Sequence, residues 1–398
     1  QVCVSRPSME NYMNQISSVI PFTGVPFPRA EYERRQQNVL EAVAGAHLDG
    51  LLVTALGHAQ YLTGYYGGGS YFGPFPLILA PGRAPTYVVR EYEAQTVRAY
   101  SCVHEIVTYT QERDFAKVCG DVLRRYGLQN KRIGIELRCW NLTPSDVYKL
   151  EAELPGIAVF DATELVGSVA AIKSELELDA MRDAMAMTEV AVSSFRETLR
   201  NGVTEAETWA AMQAAVKKAG GEELRLVSLV FGERTRLAHG FPADHPINLN
   251  EPAVTEIGGI KFGYAAGLVR TAVVGRHSEV ESLLALSNEA LDTAINMIKP
   301  GVAAEEVDAT VRKVIERSGR PGAFRNKAGY QTGINWSERG NMDMVPGVKD
   351  ILKPGMTLHM PIMLFGENGN IIGCSDHLLV TERGAKSLTS TPRTLHRV

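Results

Sequence analysis

The stretch from His239 to Thr271 constrains the fold more than any other part of this sequence. It opens on His239-Gly-Phe-Pro, passes into an alternating strand around Val254-Thr-Glu256-Ile-Gly-Gly259, and returns through Gly263-Tyr264 to end on Arg270-Thr271. Two antiparallel strands place alternate residues on one face, so a polar group on that face is held rigidly. Glu256 sits among Val254, Ile257 and Ile260, a setting in which a free carboxylate is costly unless it is paired or used. Taken alone, these residues also fit a plain hairpin whose Glu bonds a neighbour and whose His is a loop residue.

The rest of the chain supplies elements for two domains. Helical spacing over 29–47 (Tyr32, Val39, Leu40 and Val43 on one face) precedes a buried strand at 50–54 and a one-turn helix at 58–64. Strands at 76–80, 85–90, 103–109 and 132–136 alternate with helices at 114–126 and 144–153, which is the pattern of an α/β domain with a mixed sheet. A glycine- and aromatic-rich loop, 65–74, lies among them and reads either as a plain connection or as an aromatic lid. Beyond residue 167 the pattern changes. Helices are expected at 173–199, at 205–219 (capped by Thr204 with Glu207 at the box position), at 280–298 and at 304–318. Strands follow at 329–336, 357–365 and 371–381. This half predicts helices packed on one curved antiparallel sheet, an α+β layout.

Composition excludes several functions. A length of 398 residues suits two or three domains with an ample core. A formal net charge of -4 and the lack of any basic block argue against nucleic acid as partner. No apolar run is long enough to span a bilayer, so no membrane partner is expected. Cys3, Cys102, Cys119, Cys139 and Cys374 are scattered without a CxxC pair, giving neither a disulfide framework nor a zinc knuckle. With a polar N-terminal stretch that has no signal-peptide core, this predicts a cytoplasmic protein.

Six pieces in order carry a family likeness: the His239-Gly-x-Pro turn, the strand bearing Glu256, Gly263-Tyr264 followed by Arg270-Thr271, Gly329-x-x-x-Gly333, Leu352-x-Pro354-Gly355-Met356, and Val380-Thr381-Glu-x-Gly384. Together they resemble the creatinase and aminopeptidase P class of pita-bread hydrolases. The resemblance implies a creatinase-like α/β N-terminal domain over 1–167 and an α+β pita-bread catalytic domain over 168–398. It also implies a homodimer in which loop 65–74 covers the partner's cleft.

Most of that family binds two metal ions through two Asp, one His and two Glu, a donor set that offsets the charge of two close cations. Matched position by position, this sequence has Glu256 for the first Asp, Gly267 for the second, Tyr330 for the His, Pro361 for the first Glu and Ser375 for the second, with a one-residue slip to Asp376 left open. One carboxylate cannot hold a metal pair, so no metal and no other cofactor is expected. The metal-free branch is the nearer likeness, with ectoine hydrolase closest in motifs: Gly329-Tyr330-x-x-Gly333-Ile334, Pro354-Gly-Met-Thr-Leu-His359, and the tail around Pro392-Arg393-x-Leu395. Departures include Asn335-Trp336-Ser337-Glu338-Arg339, the glycine triplet 67–69, and Pro74 where creatinase has a carboxylate-binding Arg.

The expectation is a metal-independent C–N hydrolase acting on a small zwitterionic or cationic amidine- or guanidine-like metabolite. His239 and Glu256 are the catalytic candidates, one to move protons and one to pair with a planar cation. Tyr71, Phe72, Tyr264, Tyr330, Trp336, His359, Asp376 and His377 are the substrate-binding candidates. Arg270 reads as structural, tying strands or holding Glu256. A catalytically silent binding protein and a Xaa-Pro peptidase with an atypical metal site remain open alternatives.

Overall fold

The structure is a computed structural model that describes residues 24–67, 73–111, 114–336 and 342–398. Tyr71 and Phe72 lie outside the described residues. The chain forms two compact units, divided between Val166 and Gly167.

The first unit is built on a mixed six-stranded sheet. Its strands are β1 (Gly50–Val53), β2 (Leu77–Leu79), β3 (Thr86–Arg90), β4 (Glu105–Tyr109), β5 (Arg132–Ile135) and β6 (Ala158–Asp161). They lie in the order β4-β3-β2-β1-β5-β6. The central strand β1 is buried throughout, which is why it reads as a continuous apolar run. Helices α1 (Arg29–Gly45), α2 (Leu56–Thr63), α3 (Ala94–Tyr100), α4 (Phe115–Arg125) and α5 (Pro144–Glu153) accompany it. The helix expected at 58–64 begins earlier, at Leu56, and stops where Gly64 takes a φ of 80°. The helix α3 and the strand β6 were not singled out from sequence. One is a short helix of seven residues, and the other is a half-buried edge strand without a clean period.

The second unit positions the site. After α6 (Thr163–Ala170) come α7 (Glu175–Thr198) and α8 (Glu205–Lys218), opened by capping boxes at Ser174/Glu177 and Thr204/Glu207. Then follow β7 (Glu223–Phe231), β8 (Glu251–Lys261), β9 (Tyr264–Val274), α9 (Ser278–Met297) and α10 (Ala304–Arg317). The remaining strands are β10 (Gly329–Gln331), β11 (Asp343–Met344), β12 (Thr357–Phe365), β13 (Ile371–Thr381), β14 (Gly384–Ser387) and β15 (His396–Arg397). Backbone hydrogen bonding divides these into two sheets, β15-β9-β8-β7 and β11-β10-β12-β13-β14, rather than the single sheet expected. Side chains join them where main-chain pairing stops. Ser375 accepts from the Val269 amide at 2.7 Å, His377 from the Gly267 amide at 3.1 Å, and Thr271 donates to the Gly373 carbonyl at 2.7 Å. Because β8 and β9 are covered on both faces, neither shows the half-exposed alternation of a surface hairpin. Ala253, Ile257, Ala266 and Leu268 join the core formed with α7 and α8, while Val254 and Val269 belong to the core under α9 and α10. Among the described residues, no helix is long and apolar enough to cross a membrane.

Candidate active site

Strand β8 runs between β7 and β9, and its register sets Glu256 opposite Ser228 on one side and Val269 on the other. The Glu256 side chain faces a cavity of about 480 Å³ lined also by Ser228, His239, Tyr330, Pro361 and Phe365. It retains 14% of its exposure, and among the described residues it has no cationic partner closer than the His359 ring, whose Nδ1 is 4.0 Å away. Burial without compensation pushes its carboxyl up to about 7. His239 lines the same cavity from the loop before β8, exposed, with a left-handed φ of 56°. The two catalytic candidates therefore share one cavity, Glu256 on a rigid strand and His239 on the connection.

Of the five positions that the resemblance implies for metal, Glu256, Tyr330 and Pro361 line this cavity, and only Glu256 is a carboxylate. Pro361 pairs with Ser375 across β12 and β13, so the register assigns Ser375, not Asp376, to the fifth position. Asp376 points to the other face, 3.9 Å from Arg270 and 3.5 Å from Arg393. An added Cβ on Gly258 or Gly267 would lie 2.1 Å or 1.7 Å from Trp336 ring atoms, so the indole fills the space a second acid would need. Among the described residues, no three His, Cys, Asp or Glu side chains converge to hold a metal ion. The donor set does not fit a metal pair.

A chain of hydrogen bonds stands in its place. The Trp336 Nε1–H donates to the Tyr330 hydroxyl at 2.7 Å. Tyr330 meets His359 Nδ1 at 2.9 Å, and His359 Nε2 meets the Ser375 hydroxyl at 2.8 Å. Ser375 in turn accepts from the Val269 amide. Burial holds His359 well below the usual histidine range, so the ring is neutral and carries one proton. Placing that proton on Nδ1 lets the fully buried Ser375 hydroxyl donate to Nε2 and leaves no buried donor unused. Tyr330 then accepts twice, from Trp336 and His359, and its own proton is directed to the cavity. Burial also raises the Tyr330 phenol, which keeps that proton at any ordinary pH.

The remaining sequence candidates are placed differently from expectation. Tyr264 is 1% exposed and donates to Glu177 at 2.8 Å, on the α7 side of the sheet. His377 is fully buried: Nδ1 accepts from Gly267, so Nε2–H donates to Thr332 Oγ1 at 2.8 Å, and burial lowers the ring to about 3. Tyr264, His359, Asp376 and His377 do not line the cavity. His359 and His377 share the face of Pro361 and Ser375 but are covered, His359 by its bond to Tyr330 and His377 by its bond to the Gly267 amide of β9, while Asp376 alone is turned to the opposite face. Trp336 backs Tyr330 rather than walling the cavity, and does so from a left-handed φ of 69° that a tryptophan holds only when packing demands it. Arg270 does not hold Glu256. It donates to the carbonyls of Val269, Ser375 and Thr391 at 2.7–2.8 Å, tying β9 to β13 and the C-terminal segment. Sequence reasoning missed Arg325 and Lys327 at the cavity, because their loop carries no motif.

Comparison with known proteins agrees with this architecture. Residues 35–171 match the creatinase/prolidase N-terminal domain, and residues 179–382 match metallopeptidase family M24. An uncharacterized hydrolase/peptidase, y4tL, of Sinorhizobium fredii is 28% identical over 93% of this chain and 97% of its own. The ectoine hydrolase of Halomonas elongata is 26% identical over 93% of this chain and 98% of its own. Among solved structures, the dipeptidase PepE of Mycobacterium ulcerans superposes with a TM-score of 0.82 at 24% identity, covering 94% of this chain and 100% of that one. The chain belongs to the M24 family of hydrolases, with a creatinase-type N-terminal domain ahead of a pita-bread domain.

Proposed function

We propose that this protein hydrolyses a non-peptide C–N bond of a small amidine- or guanidine-like metabolite, without a bound metal. The observation that carries the reading is a buried carboxylate, Glu256, raised to about 7 and set at a cavity where Tyr330 and Pro361, at two other matched ligand positions, offer no carboxylate or imidazole. A planar amidinium supplies the charge that Glu256 lacks, through two parallel hydrogen bonds. Water adds to the central carbon, and His239 takes the water's proton. The C–N bond then breaks, and the proton passes to the leaving nitrogen. An amidine yields an amide and an amine, and a guanidine yields a urea and an amine. The free Tyr330 proton serves as a hydrogen-bond donor at the tetrahedral stage.

Turnover of cyclic amidines, guanidino acids and Xaa-Pro dipeptides, with and without chelator, tests the proposal. The dipeptides belong in the panel because PepE bears a dipeptidase name. The expected result is chelator-resistant turnover of one of the first two classes. Chelator-sensitive cleavage of a Xaa-Pro dipeptide, with about two divalent ions per chain by elemental analysis, overturns it.

A further inference from the structure

We propose that Arg325 is the residue that selects the substrate's anionic end, by binding a carboxylate. The inference rests on the cavity assignment above and names what its second pole recognises. Among the described residues, two basic side chains line the cavity besides His239. Lys327 is already neutralised, with Nζ 2.7 and 2.8 Å from the two Asp343 oxygens. Arg325 has no acidic partner among the described residues, although its guanidinium is held in place. Its Nε–H donates to the Gly322 carbonyl at 3.0 Å, and its Cζ lies 4.3 Å over the Phe365 ring. These two contacts fix the plane of the guanidinium and leave both amino groups for a ligand. A fork held in this way is the geometry that binds a carboxylate bidentately.

The placement also bears on length. Glu256 pairs with Val269, whose amide bonds Ser375, which is opposite Pro361. Glu256 therefore lies at the Pro361 level of β12. Phe365, under Arg325, is four positions further along the same strand, roughly 13 Å of backbone. An ion pair takes about 4 Å at each end. The spacer between cationic carbon and carboxylate is then only a few atoms, and the wall beside it is apolar: Pro361, Met363 and Ile371. A short ω-guanidino or amidino acid fits, and a long peptide does not.

Calorimetric titration of the full chain with three probes separates the two poles: 4-guanidinobutyrate carries both charges, butylguanidine only the cation, and pentanoate only the acid. Arg325→Met keeps the stem on Phe365 and removes the fork. It is expected to weaken 4-guanidinobutyrate and pentanoate by about 10- to 100-fold and to leave butylguanidine unchanged. Glu256→Gln is expected to weaken the two guanidines and spare pentanoate. The acid-anchor assignment is overturned if Arg325→Met and the parent bind both acids alike, including the case in which neither protein binds either acid. If the guanidines bind parent and Glu256→Gln alike, the amidine reading fails while the pentanoate result still decides the role of Arg325.

Discussion

Replacing Glu256 by Gln makes stability respond to pH in the way expected of a buried carboxylate with no close cationic partner among the described residues. Glu256 is raised from an ordinary 4.5 to about 7 by desolvation. Between those values the folded protein holds a proton that the unfolded chain has released. The associated stability is complete below about pH 4.5 and is lost as pH rises through about 7. The shift corresponds to roughly 3 kcal/mol, because one pH unit is about 1.4 kcal/mol. Glutamine cannot ionise, so the variant does not lose this stability. The neighbouring His359 ring stays neutral through the window, held well below its usual range, and does not add a compensating charge. Thermal melts of parent and variant at several pH values give the difference directly, and groups common to both cancel. The two should differ by a fixed offset near pH 4.5. The variant should then gain on the parent by roughly 3 kcal/mol by pH 8, on the order of 5–10 °C for a domain of this size. A difference that stays constant from pH 4.5 to 8 would refute the claim that Glu256 is uncompensated, and with it the carboxylate–cation argument.

Two further outcomes follow from the same geometry. On whichever panel compound is hydrolysed, Glu256→Gln and His239→Ala should each lose on the order of 100- to 10,000-fold in turnover; near-parent kinetics in a normally folded variant would make that residue structural. Gly267→Ala drives a methyl into the Trp336 ring, 1.7 Å from one of its atoms. It should cost about 1–3 kcal/mol by thermal melts, and an unchanged melt would mean the indole is not packed there.

Much of the layout was legible because it depends on local rules. Thr204 and Glu207 announce a helix start, and the box forms. Continuous apolar runs mark β1, and the order of short motifs around Glu256, Tyr330 and Pro354 marks the pita-bread domain. The absence of four metal ligands was also a matter of residue identity alone. What the sequence left undecided was direction. His359, Ser375 and His377 share one face of the paired strands, and only their position along the β12–β13 register decides which meet the Tyr330 chain and which close the gap to β9. Asp376 looked like a ligand within one residue of the right place, yet a strand turns its neighbour to the opposite face. Of the two structural roles open to Arg270, tying strands or holding Glu256, it takes the first: it stands on the neighbouring rung of β9 and bonds carbonyls of β9, β13 and the C-terminal segment. Trp336 lies outside any strand, and no pattern foretells that its ring covers two glycines on β8 and β9. The raised carboxyl of Glu256 has the same origin: desolvation is set by whatever surrounds the group in space, and those neighbours come from distant parts of the chain.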